Sequence, residues 1–147
     1  MKTVHNVIGY LPGLTSEYIV IGAHYDHLGL GEQFSMAPSL AGTVHPGADD
    51  NASGAAGVIE LARYLGAEPK PKRGVLFMTF AGEELGLLGS SYYVNHPGLP
   101  LDKAVAMLNM ENDVLEPDPA LRSERCVFRI VPVEVPHRSQ RITMCAL

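Results

Sequence analysis

Cysteine is scarce in this sequence, and its two copies, Cys126 and Cys145, lie far apart without a CxxC pattern. That spacing excludes a disulfide framework and makes a thiolate metal site a weak candidate.

Long apolar runs are also missing, so no segment has the roughly 20 consecutive apolar residues of a membrane-spanning helix. The first residues contain no apolar stretch like that of a signal peptide. As written, the chain is expected in the cytoplasm, although a longer parent could be exported.

Basic residues are outnumbered, with 11 lysines and arginines against 16 aspartates and glutamates and a formal net charge of -5. This balance argues against nucleic acid, which requires a basic footprint. Hydrophobic residues make up 46% and charged residues 18% of the chain, which favours a folded globular protein. A length of 147 residues is enough for one compact domain. Neither nucleic acid nor a membrane is expected as a partner.

Apolar segments alternate with segments of helical periodicity along the first three quarters of the chain. Strands are predicted over residues 6–11, 18–23, 74–81 and 104–110, and helices over 52–65 and 84–95. The nearly continuous apolar run over 18–23 suits a central strand covered on both faces. This alternation predicts an α/β fold, with a mostly parallel mixed sheet flanked by helices.

Each predicted helix has one apolar face, and a long loop precedes the first helix. Asp50 and Asn51 can cap the first helix. Its apolar face consists of Ala55, Val58, Ile59, Ala62 and Leu65. One face of the second helix carries Leu85, Leu88 and Tyr92. Residues 28–47 are rich in glycine, serine and proline, and a loop of that length is usually functional.

The composition changes after about residue 112. The remaining stretch holds five of the seven arginines, both cysteines and several prolines. A strand is possible from Val127 to Val135, but Pro132 would confine it to a sheet edge. The chain is therefore divided into a core over 1–112 and a divergent segment over 113–147.

Acidic and imidazole side chains follow the predicted strands in four clusters. They are His24 with Asp26, Asp49 with Asp50, Glu83 with Glu84, and Glu111. In an extended segment residues i and i+2 point the same way, so Asp26 would lie near the His24 ring and orient it. Ligands of open α/β sheets bind at the carboxyl ends of the strands, where these clusters would meet.

Each cluster alone has an ordinary explanation. A surface pair accounts for His24 and Asp26, helix capping for Asp50, and a solvated helix start for Glu83 and Glu84. Together they would repel one another unless a divalent cation neutralised them. Imidazole and carboxylate without thiolate suits zinc, with manganese or cobalt as alternatives.

Three segments carry a resemblance to the M28 family of metallopeptidases, the zinc aminopeptidase and glutamate carboxypeptidase type. The matching segments are Gly22–His27, Pro46–Gly54 and Ala81–Ser90. The related M20 peptidases share the His-x-Asp and Glu-Glu elements but lack the Gly-Ala-Asp-Asp-Asn-Ala-Ser-Gly block. The resemblance implies a truncated version of the zinc aminopeptidase (phosphorylase/hydrolase-like) fold.

The resemblance also implies roles for individual residues. His24 resembles a ligand of the first metal, Asp50 the bridging carboxylate and Glu84 a ligand of the second metal. Asp26 resembles the aspartate that orients the histidine, and Glu83 resembles the general base. Glu111 falls where the family usually has an aspartate that binds the first metal.

The chain departs from the family after Glu111, where a final histidine ligand and further strands are expected. His137 is the only later histidine, and its surroundings do not match the family. We therefore interpret the sequence as a fragment of a longer gene, or one whose reading frame shifts after about Met110. Reading the other frames of the coding DNA for a family-like continuation tests this interpretation.

The implied activity is metal-dependent hydrolysis of N-terminal peptide bonds, or of simple amides and esters if the second metal site is incomplete. A catalytically incompetent, metal-binding fragment is the main alternative, and a glutaminyl-cyclase-like acyl transferase is a third reading. An exposed sheet edge would favour a homo-oligomer.

Overall fold

A computed structural model describes residues 3–31, 38–111 and 129–131 of the chain. The β-strands are β1 (Val7–Leu11), β2 (Tyr18–His24), β3 (Gly74–Phe80), β4 (Ala104–Asn109) and β5 (Arg129–Val131). The helices are α1 (Ala52–Ala67) and α2 (Leu88–Asn95), with single 3-10 turns at Pro38–Leu40 and Leu101–Lys103. The cysteines and His137 lie outside the described residues.

The strands form one mixed sheet in the order β1-β3-β2-β4-β5. β2 pairs in parallel with both β3 and β4, while β1 and β5 pair antiparallel with β3 and β4. The central, buried position predicted for β2 is confirmed, as is the α/β class. The three described residues of the predicted 127–135 strand lie at the sheet edge.

Period-two alternation along β2 and β3 divides the core between the two faces of the sheet. One face carries Val20 and Leu76, which pack with Tyr93 of α2. The other carries Ile21 and Phe77, which pack with Val58 of α1. The strands bury both faces because a helix covers each of them, which explains their nearly continuous apolar sequence.

Helix α1 runs from the predicted start to Ala67, two residues beyond the predicted end. Val58, Ala62 and Leu65 pack toward the sheet as their spacing predicts. The spacing predicts Ile59 on the same face, but its side chain is 65% exposed. Val58 and Leu61 lie closer to the centre of the buried stripe, so Ile59 is rotated out of it.

Helix α2 begins at Leu88, four residues later than the predicted start at residue 84. Positive φ angles at Gly82, Gly86 and Leu87 (67°, 100° and 60°) are incompatible with a right-handed helix there. Tyr93 is the buried aromatic residue of α2, whereas Tyr92 is 63% exposed. Glu83 and Glu84 consequently lie in an irregular turn rather than in a helix.

Within the described part of the chain, no helix combines the length and apolar character needed to cross a membrane.

Candidate metal centre

The candidate site lies at the edge of the sheet where the parallel strands end. His24 is the last residue of β2, Glu83 and Glu84 follow β3, Glu111 follows β4, and Asp50 precedes α1. Since β2, β3 and β4 are parallel, their carboxyl ends share this edge. Residues far apart in the sequence therefore come into contact at this edge.

His24 is held between two acceptors and is only 5% exposed. Its Nδ1 lies 3.1 Å from the main-chain oxygen of Asp26, and its Nε2 lies 3.1 Å from Oδ1 of Asp50. When Nδ1 donates to the carbonyl, Nε2 presents a lone pair toward the Asp50 carboxylate. A lone pair and a carboxylate oxygen at that distance repel each other, and a metal cation bound between them would remove the repulsion.

The spacing of Asp26, two residues after His24, predicts that its carboxylate contacts the His24 ring, but its main contacts lie elsewhere. Its Oδ1 is 3.9 Å from Nδ1 of His24, farther than the main-chain oxygen of the same residue. The two carboxylate oxygens instead accept hydrogen bonds from the amides of Glu83, at 3.0 Å, and Glu84, at 3.3 Å. Asp26 thus connects the end of β2 to the Glu83–Glu84 turn through its side chain, and orients the His24 ring through its main chain.

Asp50 is positioned by the buried amide of the residue that follows it. Asn51 is 2% exposed, its Nδ2 donates to the main-chain oxygen of Met110 at 2.9 Å, and its Oδ1 accepts from the amide of Gly54 at 3.0 Å. The peptide bond between Asp50 and Asn51 is cis. Asn51 therefore caps α1 and fixes that helix end to the end of β4.

A second histidine that sequence reasoning did not assign also reaches the site. Nδ1 of His27 lies 2.9 Å from Oε1 of Glu84 and 4.0 Å from Oδ2 of Asp50. Ligand atoms of these three residues lie within 4.8 Å of one another. The only sequence signal was the position of His27 directly after the His-x-Asp element, with no periodicity to show where its ring would point.

Glu83 lines a cavity of about 190 Å³ beside His24, together with Leu87, Met107 and Glu111. Burial raises the pKa of the Glu83 carboxyl, and the neighbouring carboxylates add to the rise while His24 offsets part of it. A carboxylate with increased proton affinity at a cavity wall is suited to accept and return a proton.

Glu111 lies at the margin of the site and is exposed. Its Oε1 accepts a hydrogen bond from Nδ2 of Asn109, and the two residues line the Glu83 cavity together. Glu111 is not one of the three residues with closely grouped ligand atoms, so its role as a metal ligand stays a prediction.

The donor atoms fit a divalent cation. Zinc bonds of about 2.0–2.1 Å at tetrahedral angles would place neighbouring ligand atoms about 3.3 Å apart. The 3.1 Å separation of His24 Nε2 from Asp50 Oδ1 and the 2.9 Å separation of His27 Nδ1 from Glu84 Oε1 are close to that spacing. In the described residues, the ion pairs of lysine and arginine involve only Glu17, Glu60 and Asp102, which lie outside the site. No lysine or arginine ion pair among these residues therefore neutralises a carboxylate of the site.

Comparison with known proteins decides the family. The family model "Peptidase family M28" matches residues 6–121, well over half of the chain. The chain belongs to peptidase family M28. The match continues past Glu111, although the motifs alone predict that family-like sequence ends there, and it extends into residues that the structure does not describe.

Relatives of this M28 chain include aminopeptidases. Aminopeptidase YwaD of Bacillus subtilis (strain 168) is 38% identical over 98 residues, which cover 65% of this chain and 18% of that protein. An aminopeptidase structure from Aneurinibacillus sp. strain AM-1 superposes with a TM-score of 0.57 and 30% identity, covering 72% of this chain and 24% of the other. A glutaminyl cyclase structure from Porphyromonas gingivalis gives a TM-score of 0.62 and 25% identity, covering 72% and 39%. The M28 chain thus spans less than half the length of each.

Proposed function

We propose that this M28 chain is the metal-binding part of a divalent-metal-dependent hydrolase that cleaves N-terminal peptide bonds. The observation that carries the proposal is the position of Asp50. Its carboxylate lies 3.1 Å from His24 Nε2 on one side and within 4.8 Å of the Glu84 carboxylate on the other. A carboxylate between two sets of donors is the arrangement that holds a pair of metal ions.

The proposed ligands divide into two groups that share Asp50. His24 and Glu111 complete the first group, and Glu84 belongs to the second. Zinc is the cofactor that the donor set favours, and manganese and cobalt accept the same ligands. When bound, such cations polarise a carbonyl and lower the pKa of a coordinated water toward about 7.

Glu83 is the proposed general base. Its amide is fixed by the Asp26 carboxylate, and its own carboxylate faces the cavity beside His24. It would take a proton from the attacking water and return it to the leaving amine. Its raised pKa brings proton uptake closer to neutral pH, which favours both transfers.

The first prediction concerns Glu83→Gln, which keeps the size of the side chain but removes the base. Hydrolysis of aminoacyl chromogenic substrates should fall about 10²- to 10⁴-fold, the usual contribution of a general base. Zinc content per chain should not change, because Glu83 is not a proposed ligand. Steady-state assays and elemental analysis of the same samples measure both quantities.

Glu68→Gln is the matched control, since Glu68 is exposed at the end of α1, away from the site. It should retain full hydrolysis. Chelator-sensitive hydrolysis that is unaffected by Glu83→Gln would refute the proposed role of Glu83. Stoichiometric zinc without hydrolysis in the wild type would favour a metal-binding, catalytically incompetent protein instead.

The likeness to a glutaminyl cyclase supports a second candidate, acyl transfer within a glutaminyl peptide. The same protein incubated with peptides beginning in glutamine distinguishes the two. Release of the first residue supports the peptidase, whereas loss of ammonia with the peptide chain intact supports the cyclase.

A further inference from the structure

We propose that His27 is a metal ligand through Nδ1, and that it completes a second cation position with Asp50 and Glu84. The inference rests on the proposed function in one respect, namely that the chain binds divalent cations. It adds an imidazole donor at a position to which the resemblance to the family assigns no ligand.

The contact between His27 and Glu84 has the separation of a hydrogen bond but not its direction. Nδ1 and Oε1 are 2.9 Å apart, and both atoms are shielded from solvent, yet neither has a hydrogen-bond partner in the described structure. The carboxylate oxygen therefore lies off the line along which Nδ1 would donate a proton. Two buried ligand atoms that lie side by side without a hydrogen bond between them have the arrangement of two ligands of one metal ion.

Asp50 connects this position to the one at His24. Its Oδ1 lies 3.1 Å from Nε2 of His24, and its Oδ2 lies 4.0 Å from Nδ1 of His27. Each carboxylate oxygen thus faces a different imidazole. Each of the two cation positions would then contain one histidine and one oxygen of Asp50, and Glu84 would add a further carboxylate to the second.

The backbone around His27 places its ring at the site. The preceding Asp26 accepts two hydrogen bonds from the Glu83–Glu84 turn, which hold this part of the chain beside Glu84. On the other side, the His27 ring lies against Gly47, where a Cβ atom would come within 3.0 Å of the imidazole Cγ. Gly47 also has a positive φ of 64°, which favours glycine. The ring is therefore confined between the two segments that carry its proposed partners.

Nitrogen-15 NMR of the histidine rings tests the proposal on the wild-type chain without any substitution. Zinc titration should shift the Nδ1 resonance of His27 and the Nε2 resonance of His24, and leave those of His96 unchanged. His96 is exposed and stacks on Tyr92, outside the site. Movement of the His24 signal alone would overturn the role of His27 while leaving the proposed function intact.

Cobalt titration, followed by visible absorption, measures metal binding in the wild type and in histidine variants. The wild type should bind two cobalt ions per chain. His27→Gln should weaken one of them by at least about 10- to 100-fold, since losing a ligand should cost at least as much as losing a residue that orients one. His96→Gln is the control and should bind as the wild type does, and circular dichroism verifies that each variant is folded.

The outcomes separate the two proposals. Unchanged cobalt binding in folded His27→Gln refutes the ligand role only. A His27 Nδ1 shift without hydrolysis supports the ligand role and counts against the peptidase. A wild-type chain that takes up neither zinc nor cobalt refutes both.

Discussion

At the scale of single residues, buried polar side chains determine where the site's charged groups lie. Asn51 illustrates this, because it has no charge and no proposed chemical role yet is almost completely buried beside Asp50. It satisfies the amide of Gly54 and the main-chain oxygen of Met110. A buried polar group without a partner is costly, so these two bonds specify one arrangement of the loop.

Asn51→Ala should therefore lower the free energy of unfolding by about 2–3 kcal/mol, since it removes a helix cap and leaves two buried backbone groups without partners. Zinc affinity should fall as well, because Asp50 loses its anchor. Asn95→Ala, at the exposed end of α2, is the control and should cost less than about 1 kcal/mol. Urea denaturation of the two variants measures the difference. Equal stability losses would contradict the anchoring role of Asn51.

At the scale of secondary-structure elements, the site requires α1 to approach the end of β4 closely. Gly54, in the first turn of α1, makes this possible, since a Cβ atom there would lie 2.6 Å from the main-chain oxygen of Met110. Gly66, near the other end of the same helix, has open space around it. Packing therefore requires glycine at Gly54 but not at Gly66 of the same helix.

Gly54→Ala should destabilise the protein by about 1–3 kcal/mol, as overpacking of a tight contact does. Gly66→Ala should stabilise it by about 0.5–1 kcal/mol, since alanine is the better helix former. Thermal unfolding of both variants compares the same substitution at two positions of one element. The close approach would be disproved if Gly54→Ala were as stable as Gly66→Ala.

At the scale of the whole molecule, the sheet has an apolar edge strand. Among the described residues, β1 is the outermost strand beside β3, and Val7, Ile8 and Tyr10 are 63%, 47% and 44% exposed. An edge strand with apolar side chains and unpaired backbone groups can pair with another chain. Self-association, which the sequence predicts for an edge exposed by missing later strands, stays a prediction, and β1 is a described surface on which it can be tested.

Ile8→Lys should lower the fraction of dimers or larger assemblies, because a charge on an edge strand opposes strand pairing. Tyr64→Lys, on the exposed side of α1, is the control and should leave association unchanged. Light scattering over a range of concentrations measures both. A wild-type chain that stays monomeric throughout would contradict the prediction.

Much of the architecture follows from local sequence. The apolar strands, the start of α1 and the acidic clusters after β2 and β3 are visible because periodicity and motif are properties of neighbouring residues. The late start of α2 was missed, because it depends on left-handed backbone angles at Gly82, Gly86 and Leu87 that a helical pattern does not reveal. The exposure of Ile59 was missed because it depends on how α1 is rotated against the sheet.

The sequence by itself determined the family and the set of chemical groups: the imidazole of His24 and the carboxylates of Asp26, Asp50, Glu83 and Glu84. Only the tertiary structure decided which contacts these groups make, because their partners are far apart along the chain. It directed the Asp26 carboxylate to the amides of Glu83 and Glu84, and it brought His27 to Glu84, 57 residues away in sequence. Contacts of that range arise from strand order and loop packing, which leave no periodic trace in the sequence.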